Sequence, residues 1–241
     1  MITLLGRVGF CCVLLLCFVG SASAVTRLMR TVEYLGDPAG YVMPDSPPHA
    51  DGFEARYFAL PYLSIAHAIA GLVFMILGPI QFLPAVRNRW IRFHRWSGRT
   101  WMIAALVGVF TALIFVQRLP VFGDLSTNVA IVFASGVFIV ALVQGYRTIR
   151  RREIAKHREW MIRCFAIGLG ISTFRVLIPL LMMPPIGASF PEAWETVAWL
   201  GFVINIVAAE AWINLTRKHP LTLPAQPPIR EKVLRRQREL A

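Results

Sequence analysis

Six stretches of about twenty predominantly apolar residues constrain this chain more than any other feature. They run over Val8–Val25, Pro61–Leu83, Thr100–Leu119, Asn128–Tyr146, Trp160–Met183 and Trp194–Leu215. An α-helix rises 1.5 Å per residue, so each stretch is close to the roughly 20 residues needed to cross about 30 Å of hydrocarbon. Backbone polar groups find no partners in lipid, so a crossing segment satisfies them within its own helix. The chain is 56% hydrophobic and 16% charged, against roughly 45–50% and about 25% for soluble domains. That balance excludes a soluble enzyme, a disordered chain and a coiled coil. The expected fold class is all-α: a polytopic membrane bundle of six transmembrane helices, or five if the first is a cleaved signal.

The net charge of +12 does not point to nucleic acid, because the cations cluster at the ends of apolar runs. Five arginines lie from Arg87 to Arg99, seven basic residues from Arg147 to Arg163, and seven more from Arg217 to Arg238. The acids Glu33, Asp37, Asp45, Asp51 and Glu54 gather elsewhere. Lys and Arg concentrate in cytoplasmic loops. Placing all three clusters inside puts both termini in the cytoplasm and breaks the charge rule at no loop. The expected location is the bacterial inner membrane. Trp90, Trp96, Trp101, Trp160 and Trp212 then mark the inner interface, and Tyr57, Tyr62 and Trp194 the outer one.

The first run ends in Ala22-Ser23-Ala24, which imitates a signal-peptidase site, so it reads as a retained helix or a cleaved signal. Residues 26–60, with Pro44, Pro47, Pro48, Gly40 and Gly52, read as an extracytoplasmic loop. Residues 61–215 form a five-helix core. Residues 216–241 are a basic cytoplasmic tail suited to an anionic inner leaflet or to solution. Cys11, Cys12, Cys17 and Cys164 have no zinc or disulfide spacing and read as small buried hydrophobes. No phosphate loop, nucleophile–base set or Cys/His metal spacing is present.

Two constellations carry the chemistry that the sequence offers. His94-Arg95 with Arg99, and His157-Arg158 with Arg163, sit near the inner surface, each ahead of a helix leading outward. Read functionally, His94 and His157 are axial ligands of one b-type haem, with Arg95, Arg99 and Arg163 facing its propionates. Read structurally, the arginines meet lipid phosphates and the histidines cap helices. The second constellation is intramembrane. His67 lies about 10 Å from its helix end, on one face with Gly71 and Gly78. Arg175 lies at similar depth on a face with Gly168 and Ser172. An intramembrane arginine is costly and faces the bundle. Together these residues read as an outward-opening pocket for a quinone head group, an anion or a proton, or as a structural contact. Gly78-Pro79-Ile80-Gln81 reads as a kink, and Glu210, Asn214 and Arg217 as a surface line.

His67 with Gly71, Gly78-Pro79-x-Gln81, His94-Arg95-x-x-Gly98-Arg99, and His157-Arg158-x-Trp160-Met161-x-Arg163 with Arg175 resemble an uncharacterised bacterial multi-pass family. It is catalogued as domain of unknown function 2306. The resemblance covers about residues 60 to 215 and implies a membrane location without an activity. The chain is more loosely similar to four-helix membrane cytochromes of the b561 type, which use two histidine pairs. Asn128–Tyr146 holds no histidine, so that resemblance implies at most one bis-histidine site. Three functions are expected from these readings: a redox component binding one b-type haem or a quinone, a small-solute or proton carrier using His67 and Arg175, or a non-catalytic scaffold for membrane partner proteins.

Overall fold

The computed structural model describes residues 2–43, 55–118 and 125–217. Eight helices account for them: α1 Ile2–Gly36, α2 Ala55–Ala59, α3 Pro61–Phe82, α4 Pro84–Arg89, α5 Ile91–Arg118, α6 Leu125–Arg150, α7 Ile154–Met182 and α8 Phe190–Thr216. Six of them are long and apolar enough to cross a membrane, with mean hydropathies from 1.7 to 2.4 over their best windows. The protein is an all-α polytopic bundle. The expectations placed on Pro44, Pro47, Pro48, Gly52 and the tail beyond 217 lie outside the described residues.

All the spanning helices but α3 outrun the apolar stretches that announce them. A hydrophobic run marks the hydrocarbon only, whereas the helix goes on hydrogen-bonding its backbone through the interfaces. Thus α5 takes in Ile91–Arg99 and α7 begins at Ile154. The 35-residue α1 reaches Gly36, so the first third of the expected 26–60 loop continues that helix. The Ala22-Ser23-Ala24 step sits in the middle of α1.

In cross-section α1, α3, α5, α6 and α7 form a ring, each packed on the next and α1 closing on α7. Helix α8 packs on α6 and α7 from outside. Small residues permit the close crossings. An added Cβ on Gly20 of α1 would lie 2.5 Å from Ser172 Oγ and 3.0 Å from Met75 Cε, so α1 packs tightly on α3 and α7. Within α7 and α8, Asn205 Nδ2 donates to Thr173 Oγ1 at 3.0 Å. That bond gives a buried intramembrane amide its partner.

Trp101 is not an interfacial anchor. It is 2% exposed, stacks on Phe74 with centroids 4.7 Å apart, and donates Nε1–H to Phe74 O at 3.1 Å. It lies five residues further into α5 than the exposed Trp96. That places it below the interface, on the face turned to α3, with a carbonyl to accept its indole N–H. Cys11 and Cys12 depart from expectation in the opposite sense: both are exposed, whereas Cys17 and Cys164 are buried. Helix α1 has one face on the bundle and its other faces open to lipid, where a small apolar thiol costs little.

The turns are explicit. After α6, Glu153 N bonds Thr148 O at 2.9 Å and Arg152 N bonds Ile149 O at 3.0 Å, with Arg152 at φ 60°. This is a Schellman C-cap with a non-glycine residue in the left-handed position. Arg152→Gly is therefore expected to raise stability by about 0.5–1 kcal/mol, read as a higher thermal midpoint in detergent. At the start of α8, Ser189 N and Oγ both donate to Glu192 Oε2, at 2.8 and 2.7 Å.

The topology has a direct check. In a cysteine-free background, Arg89→Cys and Arg152→Cys should label from one face of the membrane and Ile186→Cys from the other. Opposite faces for residues 89 and 152 would break the bundle described here.

Candidate functional site

The ring of helices encloses a cavity of about 300 Å³ in the half of the bundle away from the arginine clusters. Its floor is aromatic. Phe74 and Phe138 face it, and Trp101 and Phe165 pack behind Phe74. Its walls carry small residues, among them Gly71 and Gly108. An added Cβ on either of these two would meet nothing within 4 Å, because open space lies there. Ser23 and Ala24 of α1 also line it, as do Trp194 and Phe202 of α8.

Two polar side chains named from the sequence, His67 and Arg175, both line this cavity. They lie within electrostatic reach of each other. His67 Nδ1 is 2.8 Å from Thr111 Oγ1. The Thr111 hydroxyl is directed at the carbonyls of Val107 (2.7 Å) and Gly108 (3.0 Å) in its own helix. Its single proton is thus spent on the backbone, and its oxygen accepts from Nδ1–H. That assigns the tautomer and leaves Nε2 with a lone pair. The ring also meets Phe115 edge to face at 5.6 Å.

Arg175 donates Nη1–H to Ile171 O of its own helix at 3.0 Å. A guanidinium carries five N–H donors, so most are left for another acceptor. No carboxylate stands among the described lining residues. At the mouth, the Arg27 guanidinium lies 3.8 Å over the Tyr57 ring, and Tyr57 O accepts from Ser64 Oγ at 2.7 Å. The site is therefore apolar and aromatic, with a cationic donor and a neutral imidazole acceptor. That combination suits a greasy molecule bearing an acceptor oxygen.

The structure separates the other expected partners. Gly168 lines the cavity with Arg175, whereas Ser172 is buried beside Met75 Sδ at 3.9 Å. Gly78 approaches Phe165 so closely that a Cβ there would overlap the ring. Gln81 donates to Ser97 Oγ at 2.7 Å and ties α3 to α5.

At the arginine-rich end, His157 Nδ1 is 2.8 Å from Gly145 O and donates to it, while His94 Nδ1 is shielded and has no hydrogen-bond partner among the described residues. Neither imidazole lines the cavity. Arg95 is exposed, and the Arg99 guanidinium lies 5.2 Å from the Trp96 ring centroid. Arg163 makes two parallel bonds to Glu210, Nε to Oε1 and Nη2 to Oε2. Arg217 makes two to Glu159, at 3.0 and 2.9 Å, and that carboxylate raises the Arg217 pKa. The expected Glu210–Arg217 surface line is thus corrected in its partners: the two stay within electrostatic reach, but each hydrogen-bonds to α7, where a planar fork meets a carboxylate bidentately.

Thr111 and Arg27 are partners that the sequence reading did not single out, and Tyr57, expected only as an outer-interface aromatic, is a third.

The family whose model matches the chain is described as "Predicted membrane protein (DUF2306)", and the match covers residues 64–213. The chain belongs to this family. The matched region of this DUF2306 protein holds His67, Thr111 and Arg175 of the cavity, together with the whole arginine-rich end as far as Glu210. Arg27 and Tyr57 at the mouth lie before it. Neither curated proteins nor solved structures offer a match to this chain.

Proposed function

We propose that this DUF2306 protein binds a lipophilic small molecule of the quinone class within the bacterial inner membrane. Its basic end faces the cytoplasm and its cavity opens towards the outer leaflet. The observation that carries this reading is Arg175, a guanidinium lining a largely apolar cavity whose one hydrogen bond among the described residues is to its own helix carbonyl. An arginine at such depth calls for an acceptor, and a quinone carbonyl supplies one without bringing a second charge into the span. His67 suits the reduced form, because its Nε2 lone pair can accept a quinol O–H. The volume of about 300 Å³ matches the lower end of small-molecule sites.

Haem at the other end is supported less well. His157 has the backbone partner that an iron-ligating imidazole commonly keeps, but His94 does not, and Arg163 is already committed to Glu210. A carrier reading is also weaker, since the aromatic floor stands between the cavity and the basic end. A scaffold role leaves the cavity and its arginine without a purpose.

Equilibrium dialysis of a short-chain benzoquinone against the protein in lipid nanodiscs tests the proposal, with empty nanodiscs correcting for partitioning. Saturable binding is expected. Arg175→Gln should weaken it about 10- to 100-fold, the equivalent of a hydrogen bond to a charged group. Gly71→Leu, which fills open space, should abolish binding while the thermal midpoint holds. No saturable component in the wild type, or undiminished binding in both variants, would overturn the reading. The absorbance spectrum of the same preparation checks the other end. A dithionite-reduced Soret band lost in His94→Ala and in His157→Ala would move the cofactor there.

A further inference from the structure

The basic end holds more cations than its carboxylates neutralise. Among the described residues, Glu210 is taken by Arg163, Glu159 by Arg217, and Glu153 by Lys156 at 2.9 Å. Of the described arginines left without a carboxylate at this end, Arg87 and Arg158 are the two that are not exposed. Arg158 of α7 donates Nη2–H to Thr216 Oγ1 at 2.9 Å, a neutral partner that fixes its position without balancing its charge. Arg87 of α4 has no hydrogen bond or ion pair from its side chain among the described residues, and its Nε is shielded from solvent. The Nδ1 of His94 on α5 is likewise shielded and unpartnered. Arg87 lies within electrostatic reach of both His94 and Arg158.

Three helices thus bring two arginines and an imidazole together, with two shielded ring or guanidine nitrogens lacking acceptors. Buried donors in folded proteins are nearly always paired, so each exception asks for an explanation. Like charges held together, with the nearby Glu159 carboxylate already bonded to Arg217, ask for the same one. A phosphate supplies several acceptor oxygens and up to two negative charges, and arginine is the side chain best matched to it.

We propose that Arg87, His94 and Arg158 form a binding site for a phosphate group at the basic end of the bundle. A lipid headgroup and a free phosphate share this chemistry. Arg87 and Arg158 supply charge and N–H donors, and neutral His94 supplies one N–H from Nδ1. Glu159 is within electrostatic reach of Arg158 but spends both oxygens on Arg217, and Glu210 spends both on Arg163. The site is separate from the cavity and does not depend on what the cavity binds.

The test is the thermal midpoint of the full chain in detergent with four additions. Dioctanoyl phosphatidic acid is compared with dioctanoylglycerol, which has the same tails without the phosphate. Inorganic phosphate is compared with chloride at equal ionic strength. A ligand that binds only the folded state raises the midpoint. Phosphatidic acid or inorganic phosphate should raise it by several degrees, with no rise from the matching control. A rise with the lipid alone identifies a headgroup; a rise with inorganic phosphate as well identifies the free anion as sufficient. Arg87→Gln and Arg158→Gln should each remove at least about half of the rise, whereas Arg89→Gln, exposed on the same short helix, should keep it. Should Arg87→Gln fail to fold, Arg87→Lys and Arg158→Gln decide the matter, with a partial and a larger loss expected. No rise with either phosphate, or an equal rise in the wild type and both glutamine variants, would overturn the proposal.

Discussion

Trp101→Ala should destabilise this bundle more than any other single truncation, by about 3 kcal/mol, the lower end of the range for buried aromatic-to-alanine changes. The magnitude follows from what the indole does. It is 2% exposed, stacks on Phe74 at 4.7 Å, meets Phe165 edge-on at 6.2 Å, and bonds Phe74 O at 3.1 Å. In lipid the transfer part of the usual cost shrinks, because the unfolded reference is also apolar. The void left between α3 and α5, and the lost ring contacts, remain. Trp101→Phe keeps most of the packing and loses only the indole bond, so it should cost about 1 kcal/mol. Unfolding in mixed micelles with increasing dodecyl sulfate measures both. Equal midpoints for wild type and Trp101→Ala would contradict the role assigned to the floor.

Gly201→Leu is expected to be the second large effect, through overpacking instead of a void. Gly201 lies where α8 crosses α7. A Cβ there would overlap the Phe174 ring and stand 3.0 Å from Gly170 O. A ring can rotate, but the Gly170 carbonyl is backbone and cannot yield without moving the helix. Forcing methylenes into such a contact costs about 1–3 kcal/mol or more. The shift would also drag Phe202, which lines the cavity and sits close to Gly170. Gly201→Leu should therefore lower both the thermal midpoint and quinone binding. Gly136→Leu is the internal comparison: nothing lies within 4 Å of its Cβ position, and loss of a mid-helix glycine should leave stability equal or raise it by up to about 1 kcal/mol. If the two glycine variants behaved alike, close packing of α7 on α8 would not be what holds that corner together.

The six crossings and the pairing of His67 with Arg175 in one pocket were legible in the sequence for the same reason. Lipid offers no hydrogen bonds, so both the long apolar runs and the rare polar interruptions stand out against it. What stayed hidden depended on rotation about the helix axis and on partners distant in sequence. Trp101 and Trp96 look alike as aromatic residues near a basic cluster, and only the side each presents to α3 or to lipid distinguishes them. Glu210 and Arg217 are two turns apart on one helix, which suggested a local line. Each instead found an oppositely charged group on α7, and that choice is set by how α7 and α8 are turned towards each other. Thr111 was invisible because its importance lies in a proton already spent on its own backbone, which makes it an acceptor for an imidazole 44 residues away.

The stacked rings beneath the cavity have one more consequence. Those rings close the cavity towards the basic end, so an occupant leaves by another side before a successor arrives. Turnover would then be paced by departure into the surrounding lipid, and a detergent tail able to slip in by that side would hold the place of the native guest. Extraction in detergents of different chain length should therefore change how much added quinone the purified protein takes up, while the outer surface of the helices stays as it was.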